Sequence, residues 1–524
     1  MQFNSYIFIL LFLPLTLAGY YALNHWGKEL YAKGYLLLMS LWFYGYFNAS
    51  YLLIICSSIV VNYLLSRLML RCDAGADTDA GRGTNAGNGA NAGRKRALLI
   101  LGIVFNVALI FYFKYYNFFI GNINLAFKTD FVLRNIVLPL GISFFTFQQI
   151  SFMVDSYKGE TASYNFLEYA LFVAFFPQLV AGPIVLHKEL IPQFRDREKL
   201  KVNYDNLTRG IMLFSLGLAK KVLIADTFGN AVNWGFDKAA MFTSGEQALS
   251  VYEIILVMLS YTFQIYFDFS GYSDMATGLG AMFNFTIPMN FNSPYKALSV
   301  ADFWKRWHMT LTRFLTNYVY IPLGGNRKGK ARTYLNIMLV FLISGIWHGA
   351  NWTFILWGVI HGLGQCFNRL THGIYTRIFS LAEKSRLSTL LTGLIRVIQW
   401  CVTFAFVNLA WLLFRADSVS QWWNLVKRLG IRYYYVRLEA LEFFRVPGLA
   451  SVLSRLGLNV SDRALLTVCA HAAVVLALLL CLCTKNNYER EHKKNAFSLC
   501  YTAGILALCI LSLGSVSTFL YFNF

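Results

Sequence analysis

Three histidines and two carboxylates, each in or beside strongly apolar sequence, are the residues whose types and spacing could do chemistry. His348 stands in Gly345-Ile346-Trp347-His348-Gly349-Ala350-Asn351-Trp352-Thr353-Phe354, and the apolar run around it, 335–366, holds no other Asp, Glu, Lys, Arg or His except His361. An ionisable side chain at membrane depth is costly and marks a functional position by default. Imidazole also takes and returns a proton near neutral pH. The residues therefore point to proton handling inside a bilayer, although a lone histidine there can also serve only to tie two helices together.

His308 lies 40 residues before His348 among cations, where a surface role stands beside a catalytic one. His361 follows His348 by 13 residues. On one continuous helix that is about 3.6 turns, so the two rings would project from roughly opposite sides. Gly345, Gly349, Gly358, Gly362 and Gly364 supply small surfaces that let helices approach or open a passage. Tyr266–Asp274 (YFDFSGYSD) places Asp268 and Asp274 six apart in a non-polar run, and buried carboxylates need partners. Lys305, Arg306 and Arg313 are available, so a structural ion pair is the plainer expectation and orientation of a histidine the functional one. Arg327, Lys328, Lys330 and Arg332 follow Ile321-Pro322-Leu323-Gly324-Gly325-Asn326. A Gly-Gly turn with basic flanks can bind phosphates, including those of coenzyme A; an ordinary cytoplasmic loop has the same composition.

The elements that must hold these residues are membrane helices. The 524 residues are 57% hydrophobic and 14% charged, with mean hydropathy +0.49, where soluble domains carry roughly 25% charged residues. Ala97–Phe113, Leu465–Cys483 and Ala496–Phe524 contain no Asp, Glu, Lys or Arg, and each approaches or exceeds the about 17–20 residues a helix needs to cross a bilayer. The runs are continuous rather than alternating, which excludes a strand barrel. About ten to twelve spanning or re-entrant segments are expected with a window of roughly 19 residues. The segment at 165–181 ends in Phe176-Pro177-Gln178-Leu179-Val180-Ala181-Gly182-Pro183 and is followed by a basic loop; it predicts a re-entrant hairpin that lines a cavity. Residues 295–332 are too polar to span and too aromatic for a plain loop, so short helices at the cytoplasmic boundary are expected there.

Cations fall in loops, so the net charge of +20 speaks for membrane orientation and anionic headgroups rather than nucleic acid. No Lys or Arg precedes the apolar 2–23; Lys28 follows it, which predicts an uncleaved first helix. Nine scattered cysteines show neither a disulfide framework nor metal-type spacing, and no metal is expected. The low-complexity stretch 73–93 predicts a flexible cytoplasmic loop without chemistry. No Gly-x-Ser-x-Gly elbow, Walker A sequence or His-Glu-x-x-His motif is present, which disfavours a serine hydrolase, an ATP-driven pump and a zinc protease. The organisation read from these patterns is N-terminal helices over 1–70, a loop over 71–96, a catalytic core over 97–370 and C-terminal helices over 371–524.

Phe175–Pro183 (FFPQLVAGP), Tyr266–Asp274 (YFDFSGYSD), Asp302–His308 (DFWKRWH), Tyr320–Asn326 (YIPLGGN), Ile346–Phe354 (IWHGANWTF) and Trp357–Gly362 (WGVIHG) together resemble the membrane-bound O-acyltransferase superfamily, its bacterial alginate O-acetyltransferase membrane-subunit group. The resemblance implies an all-α polytopic membrane protein, a ring of about ten to twelve transmembrane and re-entrant helices around a central tunnel. It maps the catalytic histidine onto His348 and a second polar histidine onto His308. Asp268, Asp274, Asp302, Asn351 and His361 become supporting residues, and Arg306, Arg313, Arg327 and Lys328 donor-binding ones. The ending Phe519-Leu520-Tyr521-Phe522-Asn523-Phe524 resembles a terminal Phe-x-Tyr-x-x-Phe motif and makes Tyr521 a candidate acyl carrier; by composition alone it is an interfacial aromatic anchor.

The function so implied is transfer of an acetyl group, from acetyl-coenzyme A as donor and with no tightly bound cofactor, across the bacterial cytoplasmic membrane for O-acetylation of an exported polysaccharide such as alginate. The implied partners are an extracytoplasmic SGNH-type acetyltransferase or esterase-like protein, the polysaccharide and the lipid bilayer. A neutral imidazole would serve as base, since burial disfavours its charged form, and a dry tunnel would align the reactants and limit hydrolysis. D-alanyl transfer to teichoic acid and peptidoglycan O-acetylation are alternatives within acyl transfer. A proton-coupled secondary transporter using Asp268, Asp274 and His348 is the alternative from another class.

Overall fold

Apolar runs without alternation can satisfy their backbone groups inside a bilayer only as helices, and helix is what forms. The computed structural model describes residues 1–79, 85–161, 163–245, 247–490, 495–514, 517, 519 and 520, with the side chains of 73–79 and 85–90 outside that description; no strand occurs among the described residues. The first half runs α1 (Leu13–His25), α2 (Glu29–Gly45), α3 (Ser50–Asp79), α4 (Asn85–Ile110), α5 (Tyr116–Phe127), α6 (Ile142–Tyr157), α7 (Phe166–Ala174), α8 (Phe176–Leu179), α9 (His187–Arg195), α10 (Tyr204–Ala219) and α11 (Asp226–Met241). The second half continues α12 (Val251–Met282), α13 (Val300–Arg306), α14 (Met309–Leu315), α15 (Lys330–His348), α16 (Trp352–Glu383), α17 (Ser388–Arg415), α18 (Val419–Arg428), α19 (Leu438–Glu442), α20 (Leu449–Arg455), α21 (Asp462–Leu482) and α22 (Ala496–Leu511).

Among the described residues, six helical stretches are long and apolar enough to cross a membrane: 8–25, 50–72, 91–127, 251–282, 388–415 and 462–482. The remaining core helices are short or carry inward polar residues that lower their hydropathy, which is why a count from hydropathy alone merges spans with partial elements. Helix α12 is the central post. In its most apolar window 78% of residues are buried, against 11% for 91–127, so the first is enclosed by protein and the second faces outward. A capping box between Ser250 and Glu253 starts α12, and two buried hydrophobic clusters meet along it: Tyr272, Met275 and Leu279 belong to one, Tyr261, Phe263 and Phe269 to the other.

The hairpin expected near Pro177 is present. Helix α7 stops at Phe175 (ψ 109°), a single turn α8 follows, and an extended stretch leads into α9. Residues 169–187 are buried throughout. Gly141 (φ +70°) makes room for this turn, since a Cβ there would stand 2.6 Å from the Leu179 carbonyl oxygen. Residues 295–332 do form two short helices, α13 and α14, broken at Trp307–His308. The stretch expected as a flexible loop over 71–96 is different: α3 continues to Asp79 and α4 begins at Asn85, so helical backbone enters it from both sides. Among the described residues, four π-turns interrupt the helices, at Phe8–Phe12, Phe111–Tyr115, Lys220–Ala225 and Thr316–Tyr320.

Candidate active site

His348 is the last residue of α15, 4% exposed, immediately before the turn that leads into α16. His348 and His361 therefore lie on two antiparallel helices, not on opposite sides of one. Gly345 and Gly358 let those helices touch. A Cβ on Gly345 would stand 2.4 Å from the Phe354 carbonyl oxygen, and one on Gly358 2.4 Å from that of Phe341. Close crossing is the use of small residues expected between membrane helices. Asn351 caps α16 by accepting from the Thr353 amide, and its side-chain amide donates to the Asp417 carbonyl. Its contribution is to hold the turn after His348 in place.

Aromatic rings enclose the imidazoles. Trp357 lies between His348 (5.1 Å between centroids) and His361 (4.7 Å). Trp347 lies between His348 (4.8 Å) and His308 (6.2 Å). The structure thus brings the three histidines into one aromatic chamber. His308 adopts a left-handed backbone (φ 45°), uncommon for a residue with a side chain. The strain is held by Asn290: its carbonyl oxygen accepts from the Met309 amide, and its Oδ1 from the Thr310 amide and hydroxyl. His308 Nδ1 lies 3.1 Å from the same Oδ1. An oxygen already accepting from an amide is an acceptor, so Nδ1 donates and Nε2 holds the lone pair of the neutral ring. In His361 the assignment reverses, because Trp304 Nε1 donates to Nδ1 at 3.1 Å.

Lys114 was not anticipated. From the π-turn at Phe111–Tyr115 its Nζ donates to the carbonyl oxygens of Trp347 (2.8 Å) and His348 (2.9 Å), and the Tyr115 hydroxyl donates to that of Ile346. A helix C-terminus presents unsatisfied carbonyls and partial negative charge, which an ammonium complements. A water-sized cavity of about 30 Å³ adjoins the pair, lined by Lys114, Gly141, Ser143, Val180, Trp347 and His348 among others. The sequence signal was available: Lys114 is the only Lys, Arg, Asp or Glu between Ala97 and Phe127.

Asp268 and Asp274 find lysines, though not the cations expected. Lys221 Nζ meets Asp268 Oδ1 at 2.7 Å and Lys220 Nζ meets Asp274 Oδ2 at 2.6 Å. Two consecutive lysines on a π-turn face α12, whereas Lys305 is exposed and Arg306 and Arg313 pair elsewhere. Arg306 bonds Asp302 (2.9 Å), and Arg313 binds Glu189 through two nitrogens. Arg327 and Lys328 are exposed in the turn before α15. Tyr521 lies outside the described residues. A second unanticipated pair, His187 Nε2 to Asp155 Oδ2 at 3.1 Å, is buried beside Tyr164 and Tyr318.

A cavity of about 290 Å³ opens between α13, α14, α15 and α16. Lys305 and Arg369 line it and are exposed. Its inner wall includes Trp304 and Ser344, and Ser344 sits one helical turn before His348.

The membrane-bound O-acyltransferase family profile matches residues 97–416, well over half of the chain. This chain belongs to the membrane-bound O-acyltransferase family. It is 39% identical to the "Peptidoglycan O-acetyltransferase" of Helicobacter pylori over an alignment covering 100% of this chain and 97% of the relative. It is 37% identical to the "Probable alginate O-acetylase AlgI" of Pseudomonas aeruginosa, covering 82% and 75%. The "Teichoic acid D-alanyltransferase" of Streptococcus thermophilus is 28% identical over 44% of this chain and 56% of its own. As a member of the membrane-bound O-acyltransferase family the chain is an acyltransferase and a membrane protein, and the transporter alternative falls away.

Proposed function

We propose that this acyltransferase moves an acetyl group from acetyl-coenzyme A, held on the cytoplasmic side, across the bacterial inner membrane for O-acetylation of peptidoglycan. The observation that carries the reading is His348 at a lysine-capped helix end, with a 290 Å³ cavity reaching Ser344 one turn away. Exposed Lys305 and Arg369 suit the donor's phosphates, and the cavity suits a thin thioester arm. Peptidoglycan is favoured over alginate as acceptor because the H. pylori relative aligns with the whole chain, while the alginate relative aligns with 82%.

In the reaction, His348 takes the proton of an acceptor hydroxyl. The hydroxyl oxygen attacks the thioester carbonyl, the C–S bond breaks, and the leaving thiolate recovers the proton from the imidazolium. Tyr521 is the first acceptor, and its acetyl ester passes to an extracytoplasmic SGNH-type partner that acetylates the polymer. Trp347 and Trp357 exclude water from the ring of His348, which limits hydrolysis of the donor. Lys114 fixes the His348 backbone, so the base is positioned before substrate arrives.

Changing His348→Ala should reduce base-labile acetate in isolated cell-wall polymer to background, with unchanged protein in the membrane. Normal acetylation at normal protein level would overturn the reading. Intact wall acetylation with loss of acetate from a secreted polysaccharide would move the acceptor to that polymer.

A further inference from the structure

Lys221 and Asp268, both buried, form a charged cluster with the partly exposed Asp226, and each carboxylate divides its two oxygens between the same pair of tasks. Asp268 gives Oδ1 to Lys221 (2.7 Å) and Oδ2 to the Leu520 amide (3.1 Å). Asp226 gives Oδ1 to Lys221 (2.9 Å) and Oδ2 to the Ser517 hydroxyl (2.5 Å). The Phe519 ring, 1% exposed, sits 4.8 Å from Lys221 Nζ and packs edge-on to Tyr272 at 4.9 Å. From the other end of the chain, Asn4 Nδ2 donates to the Ser517 carbonyl at 2.9 Å.

The arrangement is costly for stability alone. The Lys221 and Asp268 side chains are 3% and 2% exposed, and a buried ion pair is commonly no better than apolar side chains of similar volume. What the ions add is direction. One ammonium holds two carboxylates, and each carboxylate's second oxygen receives a group from Ser517 or Leu520. The π-turn Lys220–Ala225 brings Lys221 and Asp226 to the same side, and such turns are frequent at functional sites. Asp268 is followed in α12 by Phe269, whose ring meets His308 at 4.8 Å, so the cluster adjoins the histidine chamber.

We propose that Lys221, Asp226 and Asp268 are positioning residues that seat Ser517, Phe519 and Leu520 and so anchor the chain immediately before Tyr521. The seat deepens the proposed function, since its use in catalysis rests on Tyr521 carrying the acyl group. Binding through the Leu520 amide fixes backbone whatever the side chain, while Phe519 over Lys221 fixes the register.

Hydrogen exchange of the peptide spanning 512–524, measured on the full chain in detergent micelles, reads the seat without reference to acyl transfer. Asp268→Asn keeps the shape and removes the charge. Tail exchange should rise by about tenfold, the scale of one charge-assisted hydrogen bond, while exchange in α15 stays as it was. Ser517→Ala tests the seat from its edge and leaves the buried pair intact, so a folding defect in the first variant does not decide the matter; a smaller rise is expected. Transfer of labelled acetyl from acetyl-coenzyme A onto the protein should fall in parallel. Unchanged tail exchange in both variants overturns the seat. Faster exchange with undiminished labelling overturns its positioning role. If Tyr521→Phe keeps full transfer, the carrier reading fails by itself, while a raised tail exchange in Asp268→Asn still supports the seat.

Discussion

His348 is held by its backbone as much as by its ring. The Lys114 ammonium bonds two successive carbonyls at the end of α15, so its removal leaves buried acceptors and an uncomplemented helix terminus. Lys114→Met fills the same space without the charge. It should lower kcat by about tenfold to a hundredfold, the scale of charged hydrogen bonds, with little change in KM for the donor. Turnover of purified protein in lipid nanodiscs at varied acetyl-coenzyme A would show this; a rise in KM alone would make Lys114 part of donor binding instead. At this scale His348 and His361 were legible in the sequence as polar groups in apolar surroundings. The tautomers of His308 and His361 were not, because they depend on Asn290 and Trp304, 18 and 57 residues away.

Irregular turns, not the regular helices, aim the unanticipated lysines. Lys114 and Lys221 both come from π-turns, where one extra residue rotates the helix face that follows. Deleting Val222 should restore a regular helix at Lys220–Ala225 and rotate α11 by about 100° relative to α10. The buried partners of Lys221 would then be misaligned, with a loss of roughly 3–5 kcal/mol as for other broken buried pairs. Thermal unfolding in detergent and the yield of monodisperse protein would report it; an unchanged midpoint would show that the turn does not set the face. The break in α7–α9 was predictable from Pro177, Gly182 and Pro183. The π-turns were not, since no residue type demands one.

Across the molecule, α12 joins the two hydrophobic clusters and carries Asp268 and Asp274, which reach the lysines of the π-turn after α10, Asp268 also accepting from the Leu520 amide. Lys221→Met alone leaves Asp268 buried without its cation and should cost about 3–5 kcal/mol. Adding Asp268→Leu should recover most of that stability, because the fully buried carboxylate is gone while the partly exposed Asp226 keeps the Ser517 hydroxyl. Acyl transfer should not recover, since the Leu520 amide has lost its acceptor. Paired measurements of unfolding midpoint and labelled acetyl transfer separate the two effects; full recovery of both would reduce the cluster to a structural tie. At this scale His348 also lies 18 residues along α15 from Lys330, about 27 Å of helix, which is most of the thickness of a bilayer's hydrocarbon core.

By itself the sequence determined that the chain is helical and membrane-embedded, that it belongs with acyltransferases, and that His348 is an ionisable residue set in strongly apolar sequence. Those conclusions rest on hydropathy, on the expense of an ionisable group in hydrocarbon, and on motif strings that are local in the chain. Tertiary structure alone decided which cation each carboxylate meets, how His308 is strained against Asn290, and where Ser517, Phe519 and Leu520 rest. Asp268 had several cations to choose among in sequence, yet it binds one 47 residues away and an amide 252 residues away. Such pairings follow from how helices cross and rotate, and a linear pattern carries the period of each helix but not its angle to the others.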